Sequence, residues 1–98
     1  MMYIKVKWVN NFPGEPGVIY SEMNDERWER RKIEVFPDGS VIRADPLHSV
    51  GATRLAEEPL PSNDEIVKDP QFILEEISRR EFEELWCRAI SDPNMLGR

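Results

Sequence analysis

The chain has 98 residues, 33% of them charged and 40% apolar, with a formal net charge of −6. That length supports one domain with its own hydrophobic core, and three Trp, four Phe and two Tyr supply anchors that a disordered acidic chain lacks. The acidic balance disfavours nucleic acid as a partner, no apolar run approaches the roughly 20 residues of a membrane-spanning helix, and a single cysteine, Cys87, cannot form an internal disulfide.

Met1 to Trp8 lacks the basic start, longer apolar stretch and small-residue cleavage site of a secretory signal, so a cytoplasmic protein is expected. Residues 2 to 9 alternate instead. Ile4, Val6 and Trp8 fall on one side and Lys5 and Lys7 on the other, the period of a half-buried antiparallel strand. Asn10 to Gly17 holds two prolines and two glycines and reads as a loop. A second strand follows over Val18 to Met23. Asn24-Asp25-Glu26 turns the chain into a third strand, Arg27 to Phe36, and Pro37-Asp38-Gly39-Ser40 turns it into a fourth, Val41 to Ala44. The Asp-Gly pair between β-rich runs is a strong hairpin signal, because glycine accepts a positive φ without a Cβ clash.

Residues 45 to 62 carry prolines at 46, 59 and 61 and read as a loop, with an edge strand expected at Ala52 to Glu57. Ser62-Asn63-Asp64-Glu65 has the spacing of a helix capping box, and Asp69-Pro70 predicts that this helix ends after about two turns. Phe72 to Ile77 fits either element, and a short strand over Ile73 to Ile77 delivers the chain into Ser78-Arg79-Arg80-Glu81, a second capping box. Beyond it Phe82, Leu85, Trp86, Ala89 and Ile90 recur at i, i+3, i+4, i+7 and i+8, the stripe of an amphipathic helix on a core. Asp92-Pro93 is expected to end it, with a frayed tail over 92–98. Strands followed by helices predict an α+β domain: an antiparallel β-meander of four to five strands over 1–44 and beyond, and a C-terminal amphipathic helix, within a helical part over 63–91, packed on one face.

No residue set demands a reaction. His48 and Cys87 are each the only residue of their type, too few for a closed zinc site, so no metal or cofactor is implied. A Cys87-His48-Asp45 triad can be written down, but a thiol in mid-helix beside the core stripe lacks the setting of a nucleophile and reads as a small flanking hydrophobe. Glu57-Glu58, Glu75-Glu76 and Glu83-Glu84 are adjacent carboxylates of a kind that commonly line a solvated face, whereas acid–base pairs need one member desolvated. Arg27 to Lys32 is the one basic cluster. Strand alternation places Arg27, Glu29 and Arg31 on the side of Ile33 and Val35, and Trp28, Arg30 and Lys32 on the side of Glu34 and Phe36, so the cluster is split and suits pairing with acids on neighbouring strands, such as Glu22.

The charge is unevenly placed. Residues 1–44 hold seven acids and seven bases, residues 45–98 twelve acids and six bases, and Glu57 to Glu84 alone ten acids and three bases. An acidic face attracts a basic partner over long range, and it equally provides solubility; the sequence leaves both roles open.

Lys5-Val6-Lys7-Trp8, F-P-D-G-S at 36–40, G-A-T-R-L at 51–55 and E-E-I-S-R-R-E-F-E-E-L-W at 75–86 together resemble a family of small uncharacterised bacterial domains over nearly the whole chain. In general style the chain looks like the small acidic immunity proteins that accompany bacterial polymorphic and contact-dependent toxins. The resemblance implies a non-enzymatic binder of a basic protein partner, a toxin domain and specifically a nuclease. The expected contacts are the acids Glu75, Glu76, Glu83 and Glu84, with Trp28 as an aromatic anchor, while Trp8 and Trp86 belong to the core. The alternative is a regulatory protein-binding module, housekeeping or phage-encoded, unrelated to toxins.

Overall fold

The computed structural model describes residues 1–12, 14–47 and 53–89. Strands β1 (Met2–Trp8), β2 (Val18–Met23), β3 (Glu29–Val35) and β4 (Val41–Ala44) form an antiparallel meander. The chain then crosses the sheet, forms the one-turn helix α1 (Asn63–Ile66), and returns as β5 (Phe72–Glu76), antiparallel to β1. The sheet order is β4-β3-β2-β1-β5, and helix α2 (Arg79–Arg88) closes the described chain. This is the α+β architecture that the element order implies, with five strands.

Both faces of the sheet carry a core: along β1 Ile4 and Val6 are buried on one side while Lys5 is half-buried and Lys7 exposed on the other, as the alternation predicts, and Tyr3 on the lysine side enters a second core. On one face Tyr3 and Ile33 meet Phe82 and Ala89, with Tyr20, Val41, Ile77, Leu85 and Trp86 packed around them. On the other, Ile4, Val6 and Met23 meet Leu60, Ile66, Phe72 and Leu74. α2 therefore lies across the first face, and the 53–61 segment and α1 cover the second. Trp86 joins the first core, whereas Trp8 is half-buried outside both, its ring against Phe72 and its indole N–H donated to Gln71 Oε1 at 3.1 Å.

Local chemistry sets the element ends. Gly39 adopts φ +91° in the β3–β4 turn, where a side chain would be strained. Ser62 and Ser78 accept the backbone N–H of Glu65 and Glu81 at 3.2 and 3.1 Å, so both capping serines act as their spacing predicts. α1 nonetheless stops at Ile66, short of the two turns expected, because Lys68 N–H and Asp69 N–H close tight i→i−3 turns onto Glu65 and Ile66. α2 ends at Arg88, where Ala89 turns extended, ahead of Asp92-Pro93. Ile90, Asp92-Pro93 and the 92–98 tail lie outside the described residues, as does His48. The expected 52–57 edge strand is, in its described part, one bridge residue at Thr53 followed by irregular backbone.

The third strand departs from simple alternation. It starts at Glu29, not Arg27, because Arg27 takes φ +68° in a turn organised by Asn24, whose side-chain oxygen accepts the N–H groups of Glu26 and Trp28. The register then shifts: Met23 pairs with Glu29 but Glu22 with Arg31, a bulge that leaves Arg30 as the extra residue. Glu29 and Arg31 consequently point to opposite faces, which corrects the grouping drawn from an unbroken period of two.

Candidate functional site

Arg31 and Glu22, which oppose each other on β3 and β2, face α2. The Arg31 guanidinium donates to both oxygens of Glu22 at 2.7 Å each and also to the carboxylate of Glu83 on α2. Tyr3 on β1 adds its hydroxyl, donated to Glu22 Oε2 at 2.9 Å. The guanidinium also lies over the rings of Phe82 and Trp86, and Arg43 on β4 likewise stacks on Trp86 while donating to the Trp86 carbonyl. A planar, weakly hydrated cation suits this setting, since it pairs bidentately and stacks at once. The hydrogen bonds from Arg31 hold the Glu22 and Glu83 carboxyls below the usual carboxylate range, and burial together with Glu22 pushes the Tyr3 phenol up. This group fixes α2 to the sheet.

The opposite face has its own buried carboxylate. Glu29 accepts from Ser21 Oγ at 2.6 Å and Ala56 N–H at 2.8 Å, and pairs with Lys32 at 3.2 Å. Lys32 in turn donates to the Arg54 carbonyl, and Arg27 donates to the carbonyls of Leu60 and Pro61 and to Asn63 Oδ1. The crossing segment is thus pinned at both ends by side chains from the β2–β3 turn and β3. Among the described residues every deeply buried side-chain nitrogen or oxygen has a partner. Glu22 and Glu29 are both fully engaged, an arrangement suited to holding structure in place. No group of three or more His, Cys, Asp or Glu able to hold a metal occurs among the described residues.

The five expected contact residues are divided among different settings. Glu83 is half-buried and occupied by Arg31. Glu84 is exposed and carries a one-turn pair with Arg80 at 3.2 Å. Glu75 and Glu76 are exposed on β5 and lie on opposite faces of it, Glu75 across from Lys5 and Glu76 across from Ile4. Trp28 is 43% exposed in the β2–β3 turn. The structure brings two of the five to one end of the sheet: Asn63 accepts from Arg27, the neighbour of Trp28, and donates to Glu76 Oε1 at 3.4 Å. Cys87, expected as a flanking hydrophobe, is exposed.

Around these residues runs an acidic margin. β5 is one edge of the sheet, preceded in the chain by α1 and followed after two intervening residues by α2. Along the chain from α1 through β5 into α2, Asp64, Glu65, Asp69, Glu75, Glu76, Glu81 and Glu84 are all exposed. The counter-charges within this stretch are Lys68, paired with Glu65 at 2.8 Å, Arg80, paired with Glu84, and Arg79. Two exposed apolar side chains, Val67 at 48% and Ile73 at 56%, interrupt the margin. Charge counting located the acids. The short strand expected over Ile73 to Ile77 is present as β5, Phe72–Glu76, but that it lies at the sheet edge with Ile73 outward was not visible in the local pattern.

No described helix is long and apolar enough to cross a membrane. No curated protein and no solved structure matches the chain. The sheet and α2 together span Met2 to Arg88; a family model for a domain of unknown function, DUF6881, matches residues 2–91, and the chain belongs to that family.

Proposed function

We propose that this chain is a small acidic immunity protein that binds a basic toxin domain and occludes it without covalent chemistry. The observation that carries this reading is the acidic margin of α1, β5 and α2, whose carboxylates are exposed and outnumber the local cations. A nuclease suits it best, because a surface built to hold a phosphate backbone is basic and an acidic inhibitor competes directly for it. Electrostatic attraction would speed encounter, and a few anchors, Trp28 and Ile73 among the exposed large side chains, would supply most of the affinity. The Arg31 group supports the role indirectly. It fixes α2 against the sheet, so the margin is presented on rigid elements and less ordering is needed on binding.

The test is co-expression with the product of the adjacent gene, purification of the complex and a salt titration. A complex whose dissociation constant rises at least tenfold between 50 and 500 mM salt, together with loss of the partner's toxicity, is the expected result. A complex that neutralises nothing would make the chain a regulatory binder, and salt-independent binding would remove the acidic margin from the interface.

A further inference from the structure

We infer that the free edge of β5 is a strand-addition site for an extended basic segment of the partner protein, a refinement that rests on the binder reading above. β5 ends the sheet, and no described residue pairs with its outer edge. The inner edge is fixed by the β1 register together with Ile77 N–H donating to the Tyr3 carbonyl and Val9 N–H donating to the Gln71 carbonyl. Hydrogen bonding alternates along an antiparallel pair. Gln71, Ile73, Glu75 and Ile77 therefore direct their backbone groups to β1, and Phe72, Leu74 and Glu76 direct theirs outward. The Phe72 N–H is taken by the Asp69 carbonyl. Left for an added strand are the N–H and C=O of Leu74 and Glu76 and the C=O of Phe72.

Natural edges are blunted by proline, bulges or lysine. β5, Phe72-Ile73-Leu74-Glu75-Glu76, has none of these; only its two glutamates guard it. That guard is selective by charge. It opposes an acidic strand, and it opposes a second copy too: pairing two β5 strands about Leu74 would set Glu75 against Ile73 and Glu76 against Phe72 in two chains that each carry −6. A basic strand meets no such penalty. In an alternating basic strand a Lys or Arg opposite Glu75 or, one residue over, opposite Glu76 would gain a cross-strand pair, the second register also placing an apolar side chain over Ile73, and Asp64, Glu65 and Asp69 of the neighbouring turn extend the attraction. Lys5, the cation opposite Glu75 inside the sheet, is drawn toward the Tyr20 ring at 5.8 Å and leaves Glu75 available.

The experiment uses the full chain, isotope-labelled, and two synthetic octapeptides, one alternating Val and Lys and one alternating Val and Glu. Amide exchange is followed residue by residue. The Val-Lys peptide is expected to slow exchange at Leu74 and Glu76 at least tenfold, and the Val-Glu peptide to leave it unchanged. Glu76→Pro deletes an outward N–H and no ladder bond, and it should weaken Val-Lys binding at least tenfold while the chain still unfolds cooperatively. Should that variant not fold, Glu75→Lys with Glu76→Lys serves in its place and should reverse the peptide preference. Protection elsewhere on the chain, equal binding by the variants, no binding at millimolar peptide, or a dimer formed through β5 without peptide would each overturn the site. An adjacent-gene product that binds without protecting Leu74 and Glu76 sinks strand addition and leaves the binder reading standing. Protection by the Val-Lys peptide when no such product binds does the reverse.

Discussion

At the residue scale the molecule turns on Arg31. Its side chain keeps 19% exposure and that of Glu22 only 8%, so removing the arginine strands a carboxylate that water cannot easily reach. Arg31→Met is expected to cost about 3 kcal/mol, the lower end for breaking a buried pair, because the site is not fully enclosed. Adding Glu22→Gln removes the stranded charge yet keeps an acceptor for the Tyr3 hydroxyl, so the double variant should be more stable than Arg31→Met alone; urea midpoints at unchanged m-value measure both. The same group sets the pH response. Glu22 and Glu83 titrate lower folded than unfolded, so their contribution is complete above their ordinary value of 4.5 and is lost as pH falls through the depressed folded values. Tyr3 titrates higher folded than unfolded, so its contribution is complete below 10.0 and is lost as pH rises through the raised folded value. Stability measured against pH should form a plateau with an acid limb that Glu22→Gln flattens and an alkaline limb that Tyr3→Phe flattens. Glu83, at 36% exposure, is screened and should matter less than Glu22.

At the element scale α2 depends on one ring and one cap. Phe82 is fully buried beside Tyr3, at a centroid distance of 5.3 Å, and is one of the largest enclosed side chains. Phe82→Ala should cost roughly 3 to 5 kcal/mol, whereas Ser78→Ala, which frees only the Glu81 N–H, should cost about 1 kcal/mol, and calorimetry separates the two. Both residues are legible in the chain, because a capping serine and a 3.6-residue stripe are local signals. The ends of β2 and β4 are legible for the same reason, each following directly on a turn. What local pattern could not show depends on distance or on one extra residue. The bulge at Arg30 sits in a run of charged side chains where nothing marks the added position, and it moves Glu29 to the face where it anchors Ala56. Glu22 is readable as a cross-strand partner for the basic cluster, but Glu83 reaches Arg31 from 52 positions away. α1 begins where its serine predicts and ends early through turns that no breaker residue announces.

At the scale of the whole molecule, acidity and stability are separable. The carboxylates that hold the fold, Glu22 and Glu29, are buried, and they belong to the half of the chain with balanced charge; those on the α1–β5–α2 margin are solvated and mostly unsupported. Neutralising the margin should therefore leave folding intact. The triple variant Glu75→Gln, Glu76→Gln, Glu84→Gln should unfold within about 0.5 kcal/mol per site of the parent, the range for surface substitutions, and could gain a little from reduced self-repulsion among the acids. Its association with a basic partner should change much more. The on-rate at 50 mM salt should fall about tenfold, because long-range steering scales with the charge removed, and the difference should vanish near 1 M salt, where screening acts within about 3 Å. Stopped-flow mixing with the adjacent-gene product at both salt concentrations reads this directly. An equal loss at both salts would mean that these side chains make short-range contacts and not a steering field, whereas an unchanged on-rate would return the margin to plain solvation, the second role that a charge of −6 always allows.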